Sequence, residues 1–113
     1  MRLKASIFVA ALTRRLFSEG AMAAVERHGA DDAGAIFIRI RHCDGSESLA
    51  APAPQTAFDD DHAGARLFEI RKTRVPEAEI TEALARELRF DSDIWVVEIE
   101  TDNPENYLEI VEG

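Results

Sequence analysis

The chain is poor in the features that staple or mark many small proteins. Its 113 residues include one cysteine, Cys43, so no disulfide can close within the chain. That usage fits a reducing compartment, and the expected location is the cytoplasm. Aromatic residues are 7% of the chain, with one tryptophan and one tyrosine. There is no C-x-x-C pair, no H-x-x-x-H, no G-x-S-x-G and no G-x-G-x-x-G or Walker-type glycine loop. Closed zinc sites, the usual nucleophile elbow and the standard nucleotide cradle therefore have no foothold. Long apolar runs are missing too. The longest, from Ala5 to Leu12, is eight residues and includes Ser6, far from the roughly twenty of a membrane span. Arg2 and Lys4 before that run, and Ala21-Met22-Ala23 after it, imitate a secretory signal. Arg14 and Arg15 stand between the run and the imagined cleavage site, where such segments rarely carry charge.

What is present is a chain of the size of one domain, read as a single unit over 1–113. Hydrophobic residues are 46% and charged residues 31%, enough for a core without metal or disulfide. Thirteen Lys+Arg against 22 Asp+Glu give a net charge of −9, which repels nucleic-acid backbones and anionic membranes. The excess is uneven: residues 1–58 sum to +1 and residues 59–113 to −10.

Periodicity orders the elements. Phe8, Leu12 and Leu16 recur at helical spacing, predicting a helix from about Ala5 to Glu19, with Ser6 at its start and Gly20 at its end. Residues 21–28 are ambiguous between helix and strand and are read as a strand. Ala35–Arg41 alternates, with Ile36, Ile38 and Ile40 facing inward and Phe37, Arg39 and Arg41 outward. Asp44-Gly45 then closes a two-residue hairpin turn that returns the chain through Ser46–Ala50. Ala51–Gly64 has no periodicity and reads as a long loop. Arg66–Thr73 is a strand; Pro76 opens a second helix with Ile80, Leu84 and Leu88 buried and a Glu82–Arg86 pair outside. Ile94–Thr101 is a strand, and Tyr107–Val111 a short edge strand. The expected fold is α+β: a mostly antiparallel sheet of about four or five strands with two helices packed against it. If the strands carrying Arg39/Arg41 and Glu98/Glu100 are neighbours, those charges form a cross-strand ladder.

The opening basic-apolar stretch, Gly34-Ala35-Ile36-Phe37-Ile38-Arg39-Ile40, Asp44-Gly45, Pro52-Ala53-Pro54-Gln55 and the segment from Phe90 to Glu100 together resemble a small bacterial domain-of-unknown-function family. The resemblance implies one compact domain and carries no activity and no catalytic residues to transfer.

Candidate chemistry is sparse. Asp59-Asp60-Asp61-His62 offers hard ligands, with Asp59, Asp61 and His62 the weak candidates for a cation, but consecutive residues lack the alternation of known cation loops. His42 and Cys43 are adjacent and so diverge on a strand. A Ser-His-Asp set could form only through space. Arg14 and Arg15, with Arg2 and Lys4, make the one basic cluster, suited to an anion or to an acidic partner such as the acidic half of a second copy. Phe37 beside Arg39 and Arg41 suggests an interaction surface on the sheet. No cofactor and no catalytic residue are expected. The resulting reading is a small non-catalytic protein-interaction or self-associating module. The alternative is an enzyme or a metal- or small-molecule-binding domain with its site beside the 51–64 loop.

Overall fold

The computed structural model describes residues 3–54 and 66–112. Helix α1 (Ala5–Ser18) is followed by strands β1 (Ala23–Arg27), β2 (Ile36–Arg41), β3 (Glu47–Pro52) and β4 (Leu67–Val75). Helix α2 (Glu77–Phe90), β5 (Trp95–Glu100), a 3-10 turn (Pro104–Asn106) and β6 (Glu109–Ile110) complete the chain. The strands form one six-stranded sheet in the order β1-β5-β2-β3-β4-β6.

The fold is α+β, but the sheet is mixed rather than mostly antiparallel and has six strands rather than four or five. β5 runs antiparallel to β1 and parallel to β2, and β6 runs parallel to β4. The cause is the placement of α2. A helix between β4 and β5 gives the chain the length to cross the sheet and return parallel, and β5 inserts between β1 and β2. Alternation reveals which face a residue takes, not which strand lies beside it.

The helices lie against opposite faces of the sheet. On one face Val9, Leu12 and Leu16 of α1 pack with Ile36, Ile38, Ile40, Trp95, Val97 and Ile99. On the other, Ile80, Ala83 and Leu84 of α2 pack with Phe37, Leu49, Ala51 and Val96. The isoleucine face is inward as expected, but the opposite face is not open. Phe37 is 5% exposed and Arg39 7%, because α2 lies over them. Only Arg41 of that trio reaches solvent.

Local details follow from residue chemistry. Ser6 does not cap α1; Lys4 occupies the cap position, and the Ser6 N–H goes to the Asp31 carbonyl. Gly20, at φ 79°, ends α1 as expected, with its N–H on the Phe17 carbonyl and the Ala21 N–H on Leu16, the pattern of a left-handed helix stop. The hairpin turn has three residues, Cys43-Asp44-Gly45, rather than two: the His42 N–H meets the Ser46 carbonyl and only Gly45 takes positive φ. The Asp44 carboxylate accepts both the N–H and the O–H of Ser46. β3 runs on through Ala51 and Pro52, shortening the expected 51–64 loop at its start. Ala50 and Ala51 are buried on opposite faces, an alternation that two alanines do not display in the sequence.

Candidate functional site

β2 and β5 pair in parallel with Arg39 beside Glu98 and Arg41 beside Glu100, so the expected ladder exists. It is part of a larger network under the first turn of α2. The Glu47 carboxylate, 1% exposed, accepts from Arg39 Nε at 2.6 Å on Oε1. Arg41 Nε lies 3.1 Å from Oε2 but off the hydrogen-bonding line, so that oxygen has a charge contact and no hydrogen bond. Arg39 also donates to Thr81 Oγ1 at 2.8 Å and reaches the Glu77 carbonyl, pinning α2 to the sheet. Arg41 turns outward to Glu98 at 3.4 Å. These arginines, expected on an interaction surface, are structural fasteners in this fold.

Between α2 and β1 the same sheet face stays open. This groove encloses about 330 Å³, with Val96, Leu84 and Leu88 apolar and Ala85 and Thr81 on its α2 wall. A bulge in β1 between Val25 and Arg27 lets Glu26 and Arg27 both border it, where strict alternation would separate them. Glu26 Oε2 stands 3.6 Å from Arg39 Nη1. Burial lifts the Glu26 pKa above its usual value, the Arg39 charge opposing and Glu98 and Glu47 reinforcing.

A Ser-His-Asp chain does form in space, from residues the sequence could not associate. His42 Nε2 lies 2.7 Å from Ser48 Oγ, and His42 Nδ1 lies 3.2 Å from Asp102 Oδ1. Ser48 is buried, and its Oγ also accepts the N–H of Arg74, a residue at φ 49° beside the β3–β4 irregularity. The Asp102 carboxylate accepts the Cys43 N–H and faces Arg74. With its oxygen held between two donor-acceptor partners under the sheet surface, Ser48 joins the hairpin turn, β4 and the end of β5. Because an ionised Asp102 can only accept, neutral His42 carries its proton on Nδ1 and accepts the Ser48 hydroxyl on Nε2; nitrogen NMR of the imidazole is expected to show that tautomer.

The Cys43 N–H bond lowers the Asp102 pKa, helped by His42 and Arg74 and opposed by burial. The Ser46 hydroxyl and N–H lower that of Asp44. Depressed carboxylates bind protons more weakly folded than unfolded. Their stabilising contribution is complete above the unfolded pKa of about 3.9 and is lost as pH falls toward the folded value. The melting-temperature gap between the native chain and Asp102→Asn should therefore narrow as pH drops from neutral through that window.

The basic cluster divides. Arg15 donates to the Asn106 carbonyl, lies over the Tyr107 ring and pairs with Glu19. Arg14 is exposed and has no partner among the described residues. Around it the outer face of α1 is apolar: Ile7 is 50% exposed and Phe17 56%, with Ala10 between them. Spaced three and four residues apart, Ile7, Ala10, Arg14 and Phe17 form one stripe opposite the buried Val9–Leu12–Leu16 face. No acidic residue occurs from Leu3 to Ser18.

Asp59, Asp61 and His62 lie outside the described residues. Where the chain leaves β3 and enters β4, a small hollow of about 130 Å³ is lined by Pro52, Ala53, Leu67 and Phe68, with Arg66 its one titratable neighbour among the described residues. Among the described residues no three His, Cys, Asp or Glu side chains are grouped to hold a metal ion, and no helix is long and apolar enough to cross a membrane.

No curated protein matches this chain. Solved structures do. The solution structure of protein Atu0922 from A. tumefaciens is 52% identical, with coverage of 100% of this chain and 98% of that one and a TM-score of 0.87. The crystal structure of a DUF1491 family protein from Caulobacter crescentus CB15 is 31% identical over the whole of both chains, with a TM-score of 0.79. An NMR structure of a DUF1491 family protein from the same organism is 32% identical over 98% of each chain, at 0.77. The family described as a protein of unknown function (DUF1491) matches residues 3–109, and the chain belongs to that family.

Proposed function

We propose that this protein is a non-catalytic interaction module whose working surface is the outer face of α1. The observation that supports it is the Ile7–Ala10–Arg14–Phe17 stripe: two large apolar side chains half in water, flanked by an uncommitted cation, on a helix without acids. Large apolar side chains left in water on one helix face beside an unpaired charge point to a contact site. The Arg14 charge selects an acidic surface. The sheet side around Phe37 and Arg39 is taken up by α2, and the strand edge at β1 is blunted by its bulge and by Glu26 and Arg27, devices that discourage strand addition.

A photocrosslinking side chain at Ala10 should give protein adducts in the native cell, and these should vanish when Ile7 and Phe17 are both changed to Glu. The same group at Glu79, exposed on α2, should not give those adducts. Adducts at Ala10 that ignore the Ile7/Phe17 change, or none at all, would remove α1 as the working surface.

A further inference from the structure

The hydrogen bonds at Ser48 balance for only one protonation state of His42. We infer that the Ser48–His42–Asp102 junction is a proton-operated latch: it holds Arg74 in place while His42 is neutral and releases it when the imidazole gains a second proton.

A hydroxyl has one proton and two lone pairs. With His42 neutral, the Ser48 proton goes to Nε2 at 2.7 Å and a lone pair takes the Arg74 N–H at 3.0 Å. With His42 charged, Nε2 becomes a donor as well. Two donors then converge on Ser48 Oγ, and its own proton has no acceptor left among the described residues. Ser48 is 3% exposed and His42 8%, so that proton is stranded away from solvent, which is costly. Relief requires the junction to open, so that Arg74 withdraws and water takes its place as partner of the hydroxyl.

Charge acts in the same direction. His42 Nδ1, the Cys43 N–H and Arg74 Nη2 share one oxygen, Asp102 Oδ1, at 3.2, 3.1 and 3.4 Å. A second proton on the ring therefore sets imidazolium against guanidinium. Asp102, its pKa held below the usual carboxylate value by the Cys43 N–H, stays ionised and attracts the imidazolium whether the junction is closed or open. Asp44 holds Arg74 at 3.4 Å and opposes release, but its side chain is 60% exposed and its pull is screened. Arg41 and Glu100 border the hollow beside His42 together with the Cys43 thiol. Those two charges face each other across the β2–β5 pair and offset one another.

The backbone at Arg74 is set for release. At φ 49° it is the one non-glycine residue with positive φ among the described residues, a conformation side chains hold only under constraint. Thr73 and Arg74 together lie opposite Ser48, between the Leu49–Lys72 and Glu47–Val75 pairs, the pattern of a bulge. The Ser48 hydroxyl secures the extra residue. Pro76 and α2 follow directly, so the latch sits at the entry to that helix.

Amide exchange followed alongside the imidazole titration tests the latch. From about pH 8 to about pH 5.5 the Arg74 amide should lose about tenfold or more of its protection, corrected for the intrinsic pH dependence of exchange. The loss should track the His42 ring signals, and the Val75 and Glu77 amide shifts should move with it. Ile38, in the middle of β2, should keep its protection. His28→Gln and His62→Gln should leave the response intact. His42→Gln should abolish the pH dependence, and Ser48→Ala should leave Arg74 poorly protected at both ends of the range. A native chain whose Arg74 protection stays level while His42 titrates overturns the inference. An imidazole that does not titrate in this range overturns it too, as does a pH response that persists in His42→Gln. Loss of Ile38 protection over the same interval would mean general unfolding in place of a local latch.

Discussion

Glu47→Ala is expected to cost about 3–5 kcal/mol of folding free energy, the range for removing one partner of a buried ion pair. The change leaves the Arg39 guanidinium, itself nearly inaccessible, without its 2.6 Å carboxylate contact. Thr81 and the Glu77 carbonyl remain to it, but neither carries charge, and the Glu26 and Glu77 carboxylates, more exposed than Glu47, stand 3.6 and 3.8 Å away. Arg41 suffers less because it is half exposed and still reaches Glu98. Since a domain of this size has a total stability of roughly 5–15 kcal/mol, the variant should unfold at a markedly lower urea concentration. Glu47→Gln keeps an acceptor and should lose less. The sharper control is the double replacement Arg39→Met/Glu47→Leu. Removing both charges avoids the stranded cation, so this protein should recover most of the stability lost by Glu47→Ala. A double variant as unstable as the single one would show that Arg39 holds α2 through Thr81 and Glu77, not through its charge pair.

The same network shows what the sequence could and could not disclose. The alternation of Ile36, Ile38 and Ile40 was legible because β-branched residues at period two have one reading, and the stripe of α2 was legible for the corresponding reason at period 3.6. The burial of the other face was not. A strand covered on both sides reads as a continuous apolar run, and Arg39 and Arg41 interrupt that run as surface residues would. Arg39 can be buried because Glu47 arrives from β3 through a hairpin register that sets it opposite Arg41 and within reach of both arginines. The Ser48–His42–Asp102 chain was invisible for a different reason. His42 and Asp102 are brought together by the β2–β5 pairing, which depends on α2 carrying the chain across the sheet. In the basic cluster the sequence could not separate Arg15, which has partners near Tyr107, from Arg14, which has none among the described residues. That distinction makes α1 a candidate contact face.

Gly29→Ala is the second change with a large expected effect, about 3 kcal/mol or more, at the upper end for forcing added volume into a packed site. A methyl at Gly29 would stand 2.4 Å from the Asp93 carbonyl oxygen, 2.6 Å from the Ile94 carbonyl carbon and 2.6 Å from Trp95 Cδ1. The first two are backbone atoms that cannot swing aside. The Asp93 oxygen is further committed to the Ala30 N–H at 3.0 Å. The Trp95 ring cannot easily turn away either, since its Nε1–H donates to the Ala30 carbonyl at 2.8 Å and its face lies 4.1 Å from the His28 ring. Gly34 approaches the same Asp93 oxygen and the same Trp95 edge, so the connection from β1 to β2 closes on the start of β5 through two residues without side chains. Relief would require moving that connection off β5, which loosens the Trp95 hydrogen bond and the first β2–β5 pair, Ile36 with Trp95. Gly20→Ala separates this steric cause from ordinary backbone strain. Gly20 has positive φ but nothing within 4 Å of an added methyl, and should cost only about 1–2 kcal/mol. Urea unfolding should therefore rank Gly29→Ala well below Gly20→Ala in stability, and tryptophan fluorescence of folded Gly29→Ala should shift to the red as Trp95 gains water. Equal losses at the two glycines would mean that the Asp93–Trp95 contact yields to the methyl, and that the junction of β1, β2 and β5 is less tightly closed than these distances require.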